Sequence, residues 1–575
     1  MKFYFQSLAL LCVLCAAIVN CFSLDREAFT FTQYDLTLTV EPDQHRLGVR
    51  GRVTLRNDSQ IPQKIAVLQI SSSLAWRSIK SSDKHLQFVD QPFTSDIDHT
   101  GGLSEAVITL PQAIAPGTTI ELEIAYEGVV LLDATRLTRI GTPEDAAKST
   151  DWDQIDERFT GVRGIGNVVW YPVAADPANL SEDNSLFEVL GRWKSREAGS
   201  KMRLRIGLSR ESAEALPELL VNEPSCHVMY EQMGRAQHVT ADCTYSPLGA
   251  VVPAFFVANY AYLDRASVQV HFLVGHDSSA ASFADAADKI VPFITEWFGT
   301  PREKARTADL PVADAAPFES GALLLTPLAQ TDPKLAGLAA AHQLTHASFL
   351  AVRPWIEEGL AHFAQALYLE EQTGRRAALD YMGLHRSALL ETEKQRGAST
   401  SESEANRSLV NTSSEELYRS KAMCVWWMLR DMVGDQALKK ALAAYRPGQD
   451  KEASYMPRLI AAQTQRDLEW FFDDWVYRDR GLPDFKVESV FPRKTMTNTY
   501  MVTISVENLG SAGAEVPIIV KFSGGEVTKR LEVRAKSKGA IRVEVPAAPI
   551  EVVVNDGSVP ESDLTNNAFK VEAAP

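Results

Sequence analysis

The chain has 575 residues, too many for one hydrophobic core, so about two to four domains are expected. Hydrophobic residues make up 45% and charged residues 23% of it, ordinary globular values that argue against wholesale disorder. Acidic residues outnumber basic ones by 74 to 58, and the resulting charge of −16 argues against nucleic acid as a partner, because polyanions are repelled.

Residues 1–23 have the pattern of a secretory signal peptide. Lys2 supplies a positive start, residues 8–19 are apolar, and small or neutral residues follow near residues 21–23. The apolar run is too short for a typical spanning helix, although an uncleaved membrane anchor is the alternative interpretation. The sequence therefore predicts an exported protein, periplasmic or extracellular, without a stable membrane span once the signal is removed.

Residues 24–270 are predicted to form an N-terminal β-domain. Residues 34–40 alternate apolar and polar side chains as a half-buried strand does, and no helical period persists in this region. Cys226 and Cys243 lie in strand-like sequence with sixteen residues between them, as in a hairpin. Export favours a disulfide between these two cysteines.

The pattern changes to helices and then back to strands. Residues 271–480 are predicted to form a helical domain, in which one helix begins at Asp332-Pro333 and the next covers residues 355–372. Short strands separated by turns return in residues 484–575, which predicts a small C-terminal β-sandwich. The predicted fold class is therefore α+β and multidomain.

Two histidines and a glutamate are the candidate metal ligands. His342 and His346 are four residues apart on a predicted helix, so both imidazoles project from one face. Glu358 follows with eleven residues between, after Pro354 turns the chain back. Zinc at a catalytic site takes three protein ligands and leaves one position open. Two histidines at this spacing are by themselves weak evidence for a zinc site. The sequence around Glu358 strengthens this evidence.

The segments His342-Gln-Leu-Thr-His346 and Trp355-Ile-Glu-Glu-Gly-Leu-Ala361 resemble the core motif of the membrane alanine aminopeptidase family. These gluzincin peptidases carry His-Glu-x-x-His followed by Asn-Glu-Gly, and the short spacing here resembles that of compact bacterial relatives. The resemblance implies one zinc ion held by His342, His346 and Glu358. It also implies an N-terminal β-sandwich or saddle, a thermolysin-like zinc domain, and a peptide or protein as substrate or ligand.

Two further segments resemble the same family. Residues 316–321, Ala-Pro-Phe-Glu-Ser-Gly, resemble its Gly-Ala-Met-Glu-Asn strand, which implies that Glu319 holds the free amino group of a peptide. Residues 418–421, Tyr-Arg-Ser-Lys, resemble its Tyr-x-Lys-Gly with one extra residue. The resemblance implies that Tyr418 donates a hydrogen bond to the tetrahedral oxyanion. The alternative is that Tyr418 is a core tyrosine.

Two more ionisable side chains flank Glu358 on its predicted helix. Glu357 is adjacent but points more than a quarter turn away. His362 follows Glu358 by four residues and shares its side of the helix. A fourth protein ligand would close the site to substrate, so both side chains are interpreted as supporting or surface groups.

Gln343 is the departure that decides the function. The family has a glutamate there, which takes a proton from water and passes it to the leaving amine. A neutral amide cannot accept a proton, and such general acid–base groups contribute about 10²–10⁴-fold in rate. Gln343 is therefore expected only to hold a water molecule, and Gln343→Glu is expected to restore hydrolysis. Two functions stay open: a zinc metallopeptidase, weak or with Glu319 as a relocated base, and a pseudopeptidase that binds peptides or a protein partner.

Overall fold

The structure of the protein is a computed structural model, and it describes most residues of the chain. The predicted signal peptide, residues 1–23, lies outside them and stays a prediction. Among the described residues, no helix combines the length and the apolar character needed to cross a membrane. The described residues are 24–181, 185–211, 217–223, 225–233, 236–249, 251–330, 332–398, 408–410, 412, 414 and 416–571.

The N-terminal region is built from antiparallel-rich sheets. In the main sheet the strands lie in the order β12-β13-β10-β1-β2-β8-β4-β5, with β1 parallel to β10 and antiparallel to β2. Smaller sheets have the orders β3-β7-β6 and β11-β14-β9. The strands are β1 (Phe29–Glu41), β2 (Arg46–Asn57), β3 (Gln63–Ser71), β4 (Leu74–Ser81), β5 (Lys84–His85), β6 (Phe88–Thr94), β7 (Gly102–Ile114), β8 (Thr119–Val129), β9 (Phe159–Val162), β10 (Lys201–Glu211), β11 (Glu218–Val221), β12 (His227–Met233), β13 (Ala236–Tyr245) and β14 (Phe255–Ala258).

Strand alternation produces the core of this region. Along β1, buried Tyr34, Leu36 and Leu38 alternate with less buried residues, as a strand with one covered face requires. Aromatic side chains pack in the same core, with Trp170 and Tyr171 edge to face at 4.8 Å. The predicted disulfide is confirmed: Cys226 and Cys243 are joined, with a Cα–Cα distance of 4.2 Å, so the residue directly before β12 is bonded to β13.

Helices interrupt the predicted β-domain, which is a correction to the sequence-based expectation. They are α1 (Thr135–Arg139), α2 (Glu144–Thr150) and α3 (Ser185–Glu197). In α3, Leu186, Val189 and Trp193 are buried at positions three and four residues apart. This spacing is that of a helix that packs by one face. The apolar run is short and lies between strands, so the sequence pattern did not predict the helix.

The helical region is assembled around a mixed sheet. The strand order is β15-β16-β17-β19-β18, so β18 lies at the edge, antiparallel to β19. The strands are β15 (Ala261–Asp264), β16 (Val268–Phe272), β17 (Ala305–Asp309), β18 (Phe318–Ser320) and β19 (Leu323–Thr326). The helices are α4 (Asp277–Phe298), α5 (Pro333–Ser348), α6 (Pro354–Thr373), α7 (Arg375–Leu384), α8 (Arg386–Ala398), α9 (Ala422–Val433), α10 (Asp435–Ala444), α11 (Tyr455–Ala461) and α12 (Glu469–Phe472), and π-helical turns lie at Glu416–Lys421 and Asp473–Tyr477.

The C-terminal module is a pair of small sheets with a shared apolar core. One sheet has the order β20-β21-β24 and the other β23-β22-β25-β26. Inward side chains such as Ile504, Ile518 and Val552 are fully buried. The strands are β20 (Phe485–Lys494), β21 (Tyr500–Asn508), β22 (Ala514–Phe522), β23 (Gly525–Val533), β24 (Lys538–Val545), β25 (Pro549–Val554) and β26 (Ala568–Lys570). The predicted α+β multidomain class is confirmed.

A buried lysine joins the helical region to the segment that enters this module. Lys421, at the end of a π-helical turn, forms ion pairs with Glu393 on α8 and with Asp479. Its Nζ also lies 3.3 Å from the carbonyl oxygen of Gly481. Lys421 and Asp479 are buried, so each charge depends on the other for compensation.

We expect Lys421→Met to lower the free energy of unfolding by about 3–5 kcal/mol, because removing one partner leaves buried carboxylates without their cation. Urea denaturation followed by circular dichroism measures this change. Lys394→Met is the matched control, since Lys394 on α8 is 75% exposed. Equal stability of the two variants would contradict the structural role of Lys421.

Candidate metal centre

Two helices and one edge strand bring the candidate ligands together. His342 and His346 lie on α5, and Glu358 lies near the start of α6. Gly359 lets α6 approach α9 closely, because a Cβ at this position would lie 2.7 Å from the Cβ of Ala422. The packing of α6 against α9 therefore requires a glycine at position 359, directly after Glu358. The same packing fixes the position of α6, and with it the position of the Glu358 carboxylate beside α5.

The predicted ligands converge. His342 Nε2 and His346 Nε2 are 3.2 Å apart. The two carboxylate oxygens of Glu358 lie 3.9 Å from His342 Nε2 and 3.8 Å from His346 Nε2. Among the residues that the structure describes, donor atoms within 4.8 Å of one another form the groups Glu319, His342, His346 and His342, Glu358, His362.

The donor set fits a zinc ion. Tetrahedral zinc with bonds of about 2.0–2.1 Å holds its donors about 3.3–3.4 Å apart, and the two imidazole nitrogens have this spacing at 3.2 Å. Each nitrogen faces a different oxygen of Glu358, at 3.9 Å and 3.8 Å, which is about 0.5 Å beyond ligand spacing. Imidazole nitrogen and carboxylate oxygen are the ligand types of catalytic zinc sites. Burial and the neighbouring imidazole of His362 lower the pKa of His342 well below its usual value, so the ring is neutral, as a ligand must be.

A second layer of side chains orients His342. Gln365 Nε2 donates to the carbonyl oxygen of Leu338 at 3.1 Å, which fixes the amide with Oε1 towards the site. This oxygen accepts a hydrogen bond from Tyr381 Oη at 2.8 Å and lies 3.4 Å from His342 Nδ1. Because a carbonyl oxygen only accepts, Nδ1 carries the proton and Nε2 keeps its lone pair for a metal.

Arg419 was not anticipated from the sequence. Its Nε lies 3.3 Å from Glu358 Oε2. Burial alone would raise the pKa of Glu358, but His346 and Arg419 more than offset this and lower it. Arg419 directly follows Tyr418 in the segment that resembles the family motif. The spacing of residues in this segment does not indicate that a π-helical turn directs the Arg419 side chain towards α6.

Glu357 and His362 surround the ligands. Burial and the adjacent Glu358 raise the pKa of Glu357 to about 8, and its Oε1 is 3.9 Å from His346 Nδ1. The ring of His362 lies 4.8 Å from that of His342, and its buried Nδ1 has no hydrogen-bond partner among the described residues. Burial and Arg419 lower the pKa of His362 to about 3. Both residues belong to the centre, as supporting groups or as further donors.

Gln343 is engaged with the sheet, and the expectation that its amide holds a water molecule stays a prediction. Its Nε2 donates to the carbonyl oxygens of Arg306 at 2.6 Å and Ala322 at 2.9 Å. Its Oε1 accepts from Thr307 Oγ1 at 3.1 Å. Both N–H donors of the buried amide are used, so Gln343 bonds α5 to the neighbourhood of β17 and β19.

The two remaining predicted site residues lie on either side of the ligands. Glu319 is on β18, and its Oε2 lies 3.2 Å from His342 Nε2. Tyr418 is buried on the π-helical turn that packs against α6, with the guanidinium of Arg419 5.9 Å from its ring centre. The roles of Glu319 and Tyr418 towards a substrate stay predictions.

Comparison with known proteins gives matches in structure alone. No protein-family model and no curated protein sequence matches the chain. The crystal structure of Legionella pneumophila aminopeptidase A in complex with aspartic acid is similar, with 14% sequence identity and a TM-score of 0.59. That match covers 93% of this chain and 59% of the Legionella chain.

A second similar structure is the M1 zinc metallopeptidase from Deinococcus radiodurans. It is 15% identical, with a TM-score of 0.46, and the match covers 78% of this chain and 94% of that one. The likeness of fold rests on the Legionella structure. The chain spans 59% of the length of that aminopeptidase and shares its fold over the part that aligns.

Proposed function

We propose that the chain is an exported zinc-binding protein of the compact M1 aminopeptidase type in which peptide-bond hydrolysis is severely impaired. In this proposal the site at His342, His346 and Glu358 binds peptides or a protein partner outside the cytoplasm. The observation that carries the proposal is the bonding of Gln343, whose amide is committed to two backbone carbonyls and a threonine hydroxyl.

The metal part of the proposal rests on the donor set. His342, His346 and Glu358 offer two imidazole nitrogens and a carboxylate at separations near those of a tetrahedral ion. A bound zinc ion supplies a Lewis acid that polarises a carbonyl oxygen. Gln365 keeps the Nε2 lone pair of His342 available for this ion.

The impairment follows from proton transfer. A peptidase needs a group that accepts a proton from water and returns it to the leaving amine. Gln343 has no titratable group, and its donors already face the sheet. Losing such a base removes about 10²–10⁴-fold of rate, while the binding surfaces of the site are left in place.

A working aminopeptidase with a relocated base is the competing function. Glu319 is the residue that favours it, because this carboxylate lies 3.2 Å from a predicted ligand atom, His342 Nε2. A carboxylate that acts as the base cannot at the same time hold the amino group of a substrate. The two functions therefore differ in measurable activity.

We expect the purified protein to bind about one zinc ion per chain, because three suitable ligands converge. Elemental analysis of protein prepared without chelator, and after reconstitution with zinc, measures the content. His346→Ala should abolish it, whereas His85→Ala, a change at an exposed position on β5, should leave it intact. Negligible zinc in the reconstituted protein would refute the ligand assignment.

We expect hydrolysis of aminoacyl arylamides by the zinc-loaded protein to be slow, with kcat below about 0.1 s⁻¹, since typical enzymes reach about 10 s⁻¹ and the missing base costs at least ~10²-fold. A spectrophotometric assay with and without chelator measures the rate. Chelator-sensitive hydrolysis at ordinary enzyme rates would establish the competing function.

We expect Gln343→Glu to destabilise the protein by about 1–3 kcal/mol rather than to restore hydrolysis, because a carboxylate cannot donate to the carbonyls of Arg306 and Ala322. Thermal unfolding and the arylamide assay measure both effects. Gln372→Glu, the same change on an exposed part of α6, should shift stability by no more than about 0.5 kcal/mol. A gain in hydrolysis at unchanged stability would contradict the structural role of Gln343.

A further inference from the structure

We propose that Glu319 is a fourth protein ligand of the zinc ion, so that the resting site is closed by protein donors. This inference rests on the proposed zinc binding by His342, His346 and Glu358 and deepens it. The family resemblance assigns Glu319 instead to the amino group of a peptide, and one carboxylate cannot serve both partners at once.

The distances support coordination. Glu319 Oε2 lies 3.2 Å from His342 Nε2, which equals the separation between His342 Nε2 and His346 Nε2. It is also nearer to His342 than the oxygen of Glu358 at 3.9 Å. Donors of a tetrahedral zinc ion lie about 3.3–3.4 Å apart, so the Glu319 oxygen is already at ligand spacing.

Neighbouring side chains hold the strand that carries Glu319. Ser320 Oγ accepts a hydrogen bond from Asn222 Nδ2 of the N-terminal region at 2.8 Å. The ring of Phe318 lies 5.9 Å from that of Phe256 on β14. Side chains alternate along a strand, so Glu319 points opposite to these two neighbours, towards the histidines of α5. The contacts of Phe318 and Ser320 with the N-terminal region therefore fix the position of Glu319 on β18.

Glu319 is better placed than His362, the other candidate for a fourth donor. Glu319 lies within 4.8 Å of ligand atoms of both His342 and His346. His362 forms such a group with His342 and Glu358 but not with His346. Glu319 therefore reaches both imidazoles, whereas His362 reaches one imidazole and the carboxylate of Glu358, and the contact with both histidines favours Glu319.

Coordination by four protein side chains would change what the metal does. Zinc sites that leave a position open are catalytic, whereas closed sites are structural. A closed site matches the absence of a proton acceptor at Gln343, because neither feature serves hydrolysis. The ion would then bond the edge strand to α5 and α6, and a peptide would have to displace Glu319 to reach it.

Zinc affinity of the full chain tests this directly. We expect Glu319→Ala to weaken zinc binding at least about 10-fold in competition with a chromophoric chelator, the lower limit seen when groups that merely support a ligand are removed. Glu371→Ala, at an exposed carboxylate near the end of α6, is the control and should leave the affinity unchanged. Circular dichroism confirms that each variant is folded.

The cobalt-substituted protein gives a second readout. The visible spectrum of the unmodified protein should stay constant from about pH 6 to 9, the interval in which a metal-coordinated water with a pKa near 7 ionises. In Glu319→Ala, where water fills the vacated position, the spectrum should change with pH. If the unmodified protein and Glu319→Ala bind zinc with equal affinity and both have a pH-dependent cobalt spectrum, Glu319 is not a ligand. The proposed zinc binding by His342, His346 and Glu358 would still hold.

Two other outcomes are separable from these. Failure of the unmodified protein to bind zinc would overturn the proposed function and this inference together. If His362→Ala, and not Glu319→Ala, weakens zinc binding and makes the cobalt spectrum pH-dependent, the fourth ligand is His362 and the assignment of Glu319 is wrong.

Discussion

The centre of the helical region is governed by the free-energy cost of burying charge. Three glutamates, at positions 319, 357 and 358, lie beside His342 and His346, with Glu357 the most buried of the three and Glu319 the most exposed. Buried carboxylates are costly unless a cation or hydrogen-bond donors compensate them. Arg419 compensates Glu358, and burial keeps Glu357 protonated by raising its pKa to about 8. A divalent ion at the imidazole nitrogens would satisfy the remaining oxygens, so metal binding and the stability of this region are linked.

The helix that presents the imidazoles also carries Gln343, whose amide has a structural role. A glutamine at position 343 gives two hydrogen bonds to carbonyl oxygens and takes one from Thr307. A carboxylate there would leave both carbonyls without donors, in an interior where unpaired polar groups are costly. The amide therefore connects α5 to the sheet through groups that a carboxylate does not have.

Much of this arrangement was accessible from the sequence, because it depends on local spacing. The interval between His342 and His346, and the proline before Glu358, predict two helices whose ligands meet, and the structure brings these ligands together. The pairing of Cys226 with Cys243 and the strand alternation near Tyr34 follow from equally local patterns.

The other features depend on contacts between distant segments. The orientation of the Gln343 amide is decided by carbonyls on other elements, and the contact of Arg419 with Glu358 by a π-helical turn. The approach of Glu319 to His342 depends on where an edge strand lies. The helix Ser185–Glu197 was missed because its apolar face is short and lies between strands.

The disulfide lies at the margin of the main sheet, where β12 is the outermost strand beside β13. An outermost strand exposes unpaired backbone groups, which are a template for pairing with another chain. The covalent bond keeps β12 in place when its ladder frays. Without the disulfide, β12 would be joined to β13 by backbone hydrogen bonds and not by a covalent bond. We therefore expect reduction of the disulfide to make this edge of the sheet more prone to pair with another chain.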